Sequence, residues 1–476
     1  MHENRKSDLE VIVLAAGKGT RMCSRRPKVL HSVCGRSMVE RVARAVAGIS
    51  TIDPVNTPAR IVFVVGYCAE EVEAEISRLK SLEEFQGIEL LTVLQSEQKG
   101  TGHAVQVAMP QLGKEARRVL ILPGDVPLLC SKTLSLLFAS APRPLSVMSC
   151  EHPEPLGFGR ILRNTSGEPY GIVEHRDASE AERQILEINS GIYLAEKEFL
   201  SQALSNLESN NAQGELYLTD IVSFAAREHL PVEVVLAPSH IELSGANSIA
   251  ELSELEEIQR KRIIENHMNA GVTFVSPNQV VVDEGVKIGA DTLIGLNSRL
   301  LGDTVIGAGV LIEGDGLIVD STVADGARLL LGCYIEASQI DSGCVIGPYA
   351  HLRPGTRLES GVKIGNFVET KKSLLRRGSK VNHLSYIGDA EVGEDANVGA
   401  GTITCNYDGL KKSRTIIGAK AFIGSNTSLV APVEVGPGAI VGAGSVVTKN
   451  VPENALAVTR AEQRNISGWA LQRKRK

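Results

Sequence analysis

The sequence is short of aromatic side chains: Phe, Trp and Tyr make up 4% of its 476 residues, with a single tryptophan. Any core it builds must be filled by aliphatic side chains. Metal and disulfide grammar is missing as well. The eight cysteines (Cys23, Cys34, Cys68, Cys130, Cys150, Cys333, Cys344 and Cys405) are scattered without CxxC or CxxH spacing. In a chain of this size that reads as the reduced thiols of a cytoplasmic protein, neither a disulfide framework nor a zinc site. No stretch approaches the roughly 20 apolar residues that span a bilayer. The charged start MHENRKSDLE leads straight into Val11-Ile12-Val13-Leu14, with no apolar run ahead of a small-residue cleavage site, so neither membrane insertion nor secretion is expected. Charge of one sign is lacking too. A net charge of −6 gives no reason to expect a nucleic-acid partner, and the basic end Arg473-Lys474-Arg475-Lys476 is short enough to read as a solvated terminus.

What is present falls into two grammars, as expected of a chain too long for one core. From residue 10 to about 240, apolar runs such as VIVLAAG (11–17), RIVFVVG (60–66), ELLTVLQ (89–95), RVLILPGDVPL (118–128) and PLSVMSC (144–150) alternate with helical patterns such as SMVERVARAVAGI (37–49) and EEVEAEISRLKSL (70–82). That alternation predicts an α/β domain around a mostly parallel sheet. Ligands of such sheets sit at the carboxyl ends of strands, here the loops after residues 14, 95 and 122. Residues 247–270 predict a linker helix, with Ile249, Leu252, Leu255, Ile258 and Ile263 at helical spacing.

After Gly271 a period of six takes over. Ile288, Ile294, Leu300, Ile306, Ile312 and Ile318 form one run; Ile340, Ile346, Leu352, Leu358 and Ile364 a second; Ile417, Ile423, Leu429, Val435, Val441 and Val447 a third. Glycine follows many of them. An α-helix cannot keep one face at period six, and a plain strand needs period two. A three-faced coil fits, with the aliphatic residue pointing inward and a small residue at the corner. A parallel β-helix of about ten coils is predicted over 271–458, preceded by the α/β domain (1–246) and the linker, and followed by a tail (459–476). The run TITCNYDGLKKSRT (402–415) breaks the period and predicts a projecting loop, where function tends to sit.

Two motifs carry chemistry. Leu14-Ala15-Ala16-Gly17-Lys18-Gly19-Thr20-Arg21-Met22 follows the first strand, with Pro27-Lys28-Val29-Leu30 just after. It is neither a Walker loop nor a dinucleotide fingerprint. It is a small-residue turn that lets backbone N–H groups approach a triphosphate, flanked by the fixed charges Arg21 and Lys28, or else an ordinary tight turn. Asp125, closing LILPGDVPL, suits a magnesium ion or equally an N-cap. In the second half, Val381-Asn382-His383-Leu384-Ser385-Tyr386 offers one histidine, either a structural residue or a general base for an amine that must lose a proton as it attacks a thioester.

The order LAAGKGTRM…PKVL, LQSEQKGTGHA, GDVPL, GFGRI, GIVEH and EINSGIY, continued through the hexapeptide half, resembles the bacterial bifunctional N-acetylglucosamine-1-phosphate uridyltransferases/glucosamine-1-phosphate acetyltransferases over essentially the whole chain. The resemblance implies a Rossmann-like nucleotidyltransferase domain and a left-handed β-helix, with the product UDP-N-acetylglucosamine feeding peptidoglycan and lipopolysaccharide precursors. It also implies a cytoplasmic homotrimer acting on small molecules: glucosamine-1-phosphate, N-acetylglucosamine-1-phosphate, UTP and acetyl-CoA. By motif, Leu14, Ala15, Ala16, Gly17, Lys28, Gln95, Gly100 and Thr101 would hold the uridine nucleotide, with Arg21 beside them. Gly159, Glu174 and Asn189 would hold the N-acetylglucosamine moiety, and Asp125 and Asn247 would hold Mg²⁺. His383 would be the base of acetyl transfer. Arg353, Lys371, Tyr386, Asn397 and Lys412 would bind glucosamine-1-phosphate, with Glu369 supporting His383 or the amine. Asn406, Tyr407, Ser425, Ala443 and Arg460 would contact acetyl-CoA, and the N–H of Ala400 is the candidate oxyanion donor. One departure stands out: the family carries Tyr before the Gly-Asp pair, where this chain has Pro123. The rival readings are a single-activity nucleotidyltransferase whose β-helix only regulates or assembles, and a non-catalytic assembly protein.

Overall fold

A computed structural model describes residues 8–139 and 143–472, so the basic end at 473–476 lies outside the described residues. The chain divides into two compact units, Met1–Gln259 and Arg260–Lys476.

The first unit is built on a nine-stranded sheet. Seven strands form its path: β1 (Leu9–Ala15), β2 (Arg60–Val65), β3 (Glu89–Leu94), β4 (Arg118–Pro123), β5 (Leu145–Glu151), β6 (Glu187–Glu196) and β7 (Val232–Leu236). Their order is β7-β5-β6-β4-β1-β2-β3. The five apolar runs read from the sequence are β1 to β5. The strands β4, β1, β2 and β3 are mutually parallel, as is the pair β5 and β7, whereas β6 runs antiparallel to both β4 and β5. A hairpin of Arg160–Arg163 and Pro169–Val173 extends from β6.

Near-continuous apolar strands mean that both faces are covered. Val11 and Val13 of β1 pack on one side with α1 (Met38–Ala47) and α2 (Ala69–Leu79). Ile12 packs on the other with α3 (Thr101–Ala108), α4 (Lys197–Ser205) and α5 (Asp220–Arg227). Helix α1 starts where the sequence says it should: the Ser37 hydroxyl accepts from the Glu40 N–H, satisfying one orphan donor of the first turn.

The predicted linker is α6 (Ile249–Asn269). Ser248 and Glu251 exchange hydrogen bonds at its start, and the Glu251 carboxylate also accepts from the Asn247 N–H at 2.8 Å. The boundary between the two units falls inside this helix rather than at its ends.

The second unit is a prism of three parallel sheets with eleven, ten and nine strands, visited in rotation. Successive coils stack the period-six residues on one another: Ile288 on Ile306, Ile294 on Ile312, Leu300 on Ile318. Apart from the partly buried Ile288, all three runs point into the prism and are buried. The glycines that follow them answer to the next coil. A Cβ on Gly365 would come within 1.8 Å of the Asn382 carbonyl oxygen, and one on Gly424 within 2.4 Å of the Ala443 nitrogen.

The gaps between runs have a physical cause. Inward residues lie five rather than six apart from Ile318 to Val323 and from Ile335 to Ile340, where a corner is one residue shorter. Further on, the inward position is taken by Thr370 and Thr404, both fully buried. Their hydroxyls are satisfied inside: Thr370 Oγ1 lies 2.9 Å from Thr356 Oγ1, and Thr404 Oγ1 accepts from the Gly388 N–H at 2.7 Å.

Candidate functional site

The carboxyl ends of β1, β3 and β4 open on a cleft of about 440 Å³. Leu14, Ala16, Gly17, Arg21, Lys28, Gln95, Gly100, Thr101, Asp125 and Asn247 line it, together with Thr20, Gln98, Pro123 and Glu215. Of the residues expected to hold the nucleotide, only Ala15 points elsewhere; its side chain belongs to the core beneath. The cleft's walls are held by its own hydrogen bonds. Gln95 Nε2 donates to the Gly100 carbonyl at 3.1 Å, and Gln98 Nε2 donates to the Ala16 carbonyl at 2.7 Å. A Cβ added to Gly17 would meet no protein atom within 4 Å, so this turn leaves room against its own backbone. Gly19, at φ +62°, instead packs against Lys28: a Cβ there would sit 2.7 Å from Lys28 Cβ.

At the centre of the cleft the Lys28 ammonium pairs with the Asp125 carboxylate and donates to Asn247 Oδ1 at 2.7 Å. Asp125 is not the cap of the next helix, Ser131–Ser135, whose N-cap is Cys130. Asp125 and Asn247, the expected metal pair, converge on one cation.

Gly159, Glu174 and Asn189 form a separate cluster. The Asn189 N–H donates to the Gly159 carbonyl at 3.0 Å, and a Cβ on Gly159 would lie 3.6 Å from both Asn189 Cβ and Glu174 Cδ. Burial pushes the Glu174 carboxyl above its ordinary value, and the charges of Asp177 and Asp220 push the same way. Sequence reasoning missed Tyr193, a buried residue whose hydroxyl accepts from Asn189 Nδ2 at 2.7 Å. Pro123 lines the cleft and lies 3.8 Å from where a Cβ on Gly191, two residues past Asn189, would be.

In the prism, register decides which residues meet. Asn366 pairs with His383 one coil on. The His383 carbonyl accepts from Gly401, the Ala400 carbonyl from Asn426, and the Ser425 carbonyl from Gly444. Asn366, His383, Ala400, Ser425 and Ala443 are thus successive rungs of one corner column. Arg460 closes the column by donating to the Ala443 carbonyl. His383 Nδ1 lies 2.8 Å from Asn366 Oδ1. With that amide oxygen as acceptor, Nδ1 carries the proton and Nε2 is left with a free lone pair. Asn366 was not among the expected residues; its spacing of one coil from His383 was the available signal. Among the described residues, the Ala400 N–H donates to no protein acceptor.

Of the two roles expected of Glu369, support of His383 or of the amine, its contacts leave the second. It lies on the next face, paired with Tyr386, and its carboxylate accepts from Arg353 Nη1 at 2.7 Å rather than from His383. Lys371 is on the same strand, and the charges of Lys412 and then Arg353 hold its ammonium below the ordinary lysine value. Asn397 pairs with Lys380 and Phe422 on the His383 face. The break in the period is a small antiparallel turn, bridged from Tyr407 to Lys412. Asn406 anchors it through the Asp389 carboxylate and, at 3.5 Å, the Tyr386 hydroxyl. Cys405 is a free thiol at its base.

Comparison with known proteins matches both halves. Residues 11–189 fit the MobA-like NTP transferase domain, and residues 414–449 fit the bacterial transferase hexapeptide (six repeats). The bifunctional protein GlmU of Cellvibrio japonicus is 46% identical over 97% of this chain and 98% of its own length. GlmU of Pelobacter propionicus is 44% identical over 98% and 99%, and that of Corynebacterium efficiens 42% over 98% and 95%. With a nucleotidyltransferase unit, a hexapeptide prism and likeness running from end to end, the chain belongs to the GlmU family of bifunctional transferases.

Proposed function

We propose that the chain makes UDP-N-acetylglucosamine in two steps at the two sites above, and that the corner column through His383 is what carries the acetyl-transfer reading. Glucosamine-1-phosphate presents its amine to His383 Nε2, which takes the proton as nitrogen attacks the thioester carbonyl of acetyl-CoA. The Ala400 N–H, one rung above, meets the oxyanion, and the thiol of coenzyme A leaves. Arg353, Lys371, Lys412, Tyr386 and Asn397 hold the sugar phosphate. The Ser425, Ala443 and Arg460 rungs, with Asn406 and Tyr407, hold coenzyme A. The lowering of Lys371's basicity by the charges of Lys412 and Arg353 supports this, because cations gathered that closely call for an anion.

In the cleft, the phosphate of N-acetylglucosamine-1-phosphate attacks the α-phosphorus of UTP and pyrophosphate leaves. The chain's work is positioning: the Gly17 turn, Gln95, Gly100 and Thr101 hold the nucleotide, Gly159, Glu174 and Asn189 hold the sugar, and Arg21 and Lys28 offset charge on the triphosphate. Asp125 and Asn247 offer a carboxylate and an amide oxygen that already converge on one cation, a donor set suited to Mg²⁺. When bound, Mg²⁺ supplies neutralisation of the triphosphate and of the departing pyrophosphate.

A homotrimer is supported by the corner beside the column. Tyr349, Phe367 and Leu384 are 51%, 58% and 63% exposed, the first two with rings stacked at 5.9 Å. A ladder of bare apolar side chains of this kind suits burial by another copy of the chain. Cytoplasmic residence agrees with thiols that form no disulfide among the described residues, where no helix is long and apolar enough to cross a membrane. One coupled assay tests the whole reading: glucosamine-1-phosphate, acetyl-CoA, UTP and Mg²⁺ should yield UDP-N-acetylglucosamine with release of free thiol and pyrophosphate. Pyrophosphate from UTP and N-acetylglucosamine-1-phosphate, without thiol release in the complete mixture, would leave only the single-activity rival.

A further inference from the structure

We infer that Lys28 is a resident cation latch, which occupies the metal pair Asp125 and Asn247 until a triphosphate draws it away. The inference rests on the reading of that pair as metal-holding. Three observations carry it. The ammonium contacts both oxygens at once, through the ion pair to Asp125 and the 2.7 Å hydrogen bond to Asn247 Oδ1. Its side chain is only 11% exposed and Asp125's 23%, so neither charge is well solvated without the other. Both residues are anchored through their backbones: the Asn247 N–H is tied to Glu251, and the Asp125 carbonyl accepts from Ala246.

An ammonium and a divalent cation cannot share one carboxylate oxygen and one amide oxygen, because at that separation like charges in a poorly hydrated cleft repel strongly. Lys28 must therefore leave before the pair can serve a metal. Holding a displaced lysine in the same cleft takes another anion; Glu215 lines the cleft with a single charge, and Gly17, Gln95 and Thr101 line the space where a triphosphate would supply several. Nucleotide and metal are then coupled through one side chain: each makes room for the other, and by linkage the coupling is reciprocal. In the nucleotide-free protein the latch keeps the carboxylate neutralised and metal affinity low.

The test is a titration of the full chain with Mn²⁺ in the absence of nucleotide, followed by loss of the free-ion paramagnetic resonance signal. Lys28→Met and Lys28→Gln should each bind Mn²⁺ about tenfold or more tightly than the parent, a coupling of ordinary allosteric size, while Lys28→Arg should stay at the parent's affinity. Equal affinity in parent, Lys28→Met and Lys28→Gln, or no binding in any of them, overturns the latch. Adding Asp125→Asn to Lys28→Met separates the two ideas. If it abolishes Mn²⁺ binding, the metal pair stands whatever the latch does; if tight binding survives, the metal assignment is what fails. Should one lysine variant fold poorly, the Mn²⁺-dependent rise in melting temperature of the other, compared with the parent's, gives the same answer.

Discussion

The two sites solve the problem of presenting charge in opposite ways. In the α/β unit the central cation of the cleft is already engaged, Lys28 with the Asp125 carboxylate and the Asn247 amide oxygen, inside walls stitched by Gln95 and Gln98. On the prism, Lys371, Lys412 and Arg353 crowd together on an outer face, with the Glu369 carboxylate engaged by Arg353. The difference follows from shape. The carboxyl end of a twisted parallel sheet is concave, so one chain can surround a ligand. A flat prism face presents a ladder of side chains with nothing opposite, so a site there displays its groups and depends on a projecting turn or another copy of the chain for its second wall.

This contrast can be broken by variants that act on one unit only. The largest effect is expected from His383→Ala, which removes the base: acetyl transfer should fall about 10²–10⁴-fold, with uridylyl transfer at the parent rate. Thiol release unchanged in that variant would return His383 to a structural role. Next, Leu352→Ala opens a cavity at a fully buried prism position and should cost about 2–5 kcal/mol in the unfolding of that unit, read by thermal melting. Uridylyl transfer should persist where acetyl transfer has already been lost.

The smallest effect concerns Glu174. Its folded-state carboxyl is raised, so the stability it contributes is full below the ordinary carboxylate range and is lost as pH rises through that range to the raised value. Glu174→Gln should therefore raise the melting temperature at neutral pH and leave it unchanged in acid. The same variant should weaken capture of N-acetylglucosamine-1-phosphate, seen as a higher KM. A melting temperature that falls at neutral pH would show that the buried charge is held by partners rather than penalised.

Legibility in the sequence also differed between the halves. The prism could be read almost residue by residue, because one inward side chain per face leaves a mark every six positions. It blurred where a corner was one residue short, as before Val323, Ile340, Leu375 and Val392, where Thr370 and Thr404 satisfied their hydroxyls internally, and where the turn bridged from Tyr407 to Lys412 interrupts the coil. In the front half five strands and two helices were plain, but β6 was not. It carries Asn189, Ser190 and Gly191 at an irregularity in its pairing with β5, which interrupts the apolar pattern. The motif LAAGKGTRM marked the cleft, yet bare physics stopped at anion binding until the family resemblance supplied uridine.

By itself, then, the sequence determined the period-six prism, the alternation of strand and helix before it, and the family to which the chain belongs, because each is written in local spacing or local motif. Only tertiary structure decided who meets whom. It set Asn366 rather than Glu369 beside His383, because coil register and not sequence distance aligns rungs. It aligned Ala400, Ser425 and Ala443 in one column across an insertion that conceals their spacing. And it brought Lys28 to Asp125 and Asn247, residues 97 and 219 positions away along the chain, a contact that no local pattern can encode.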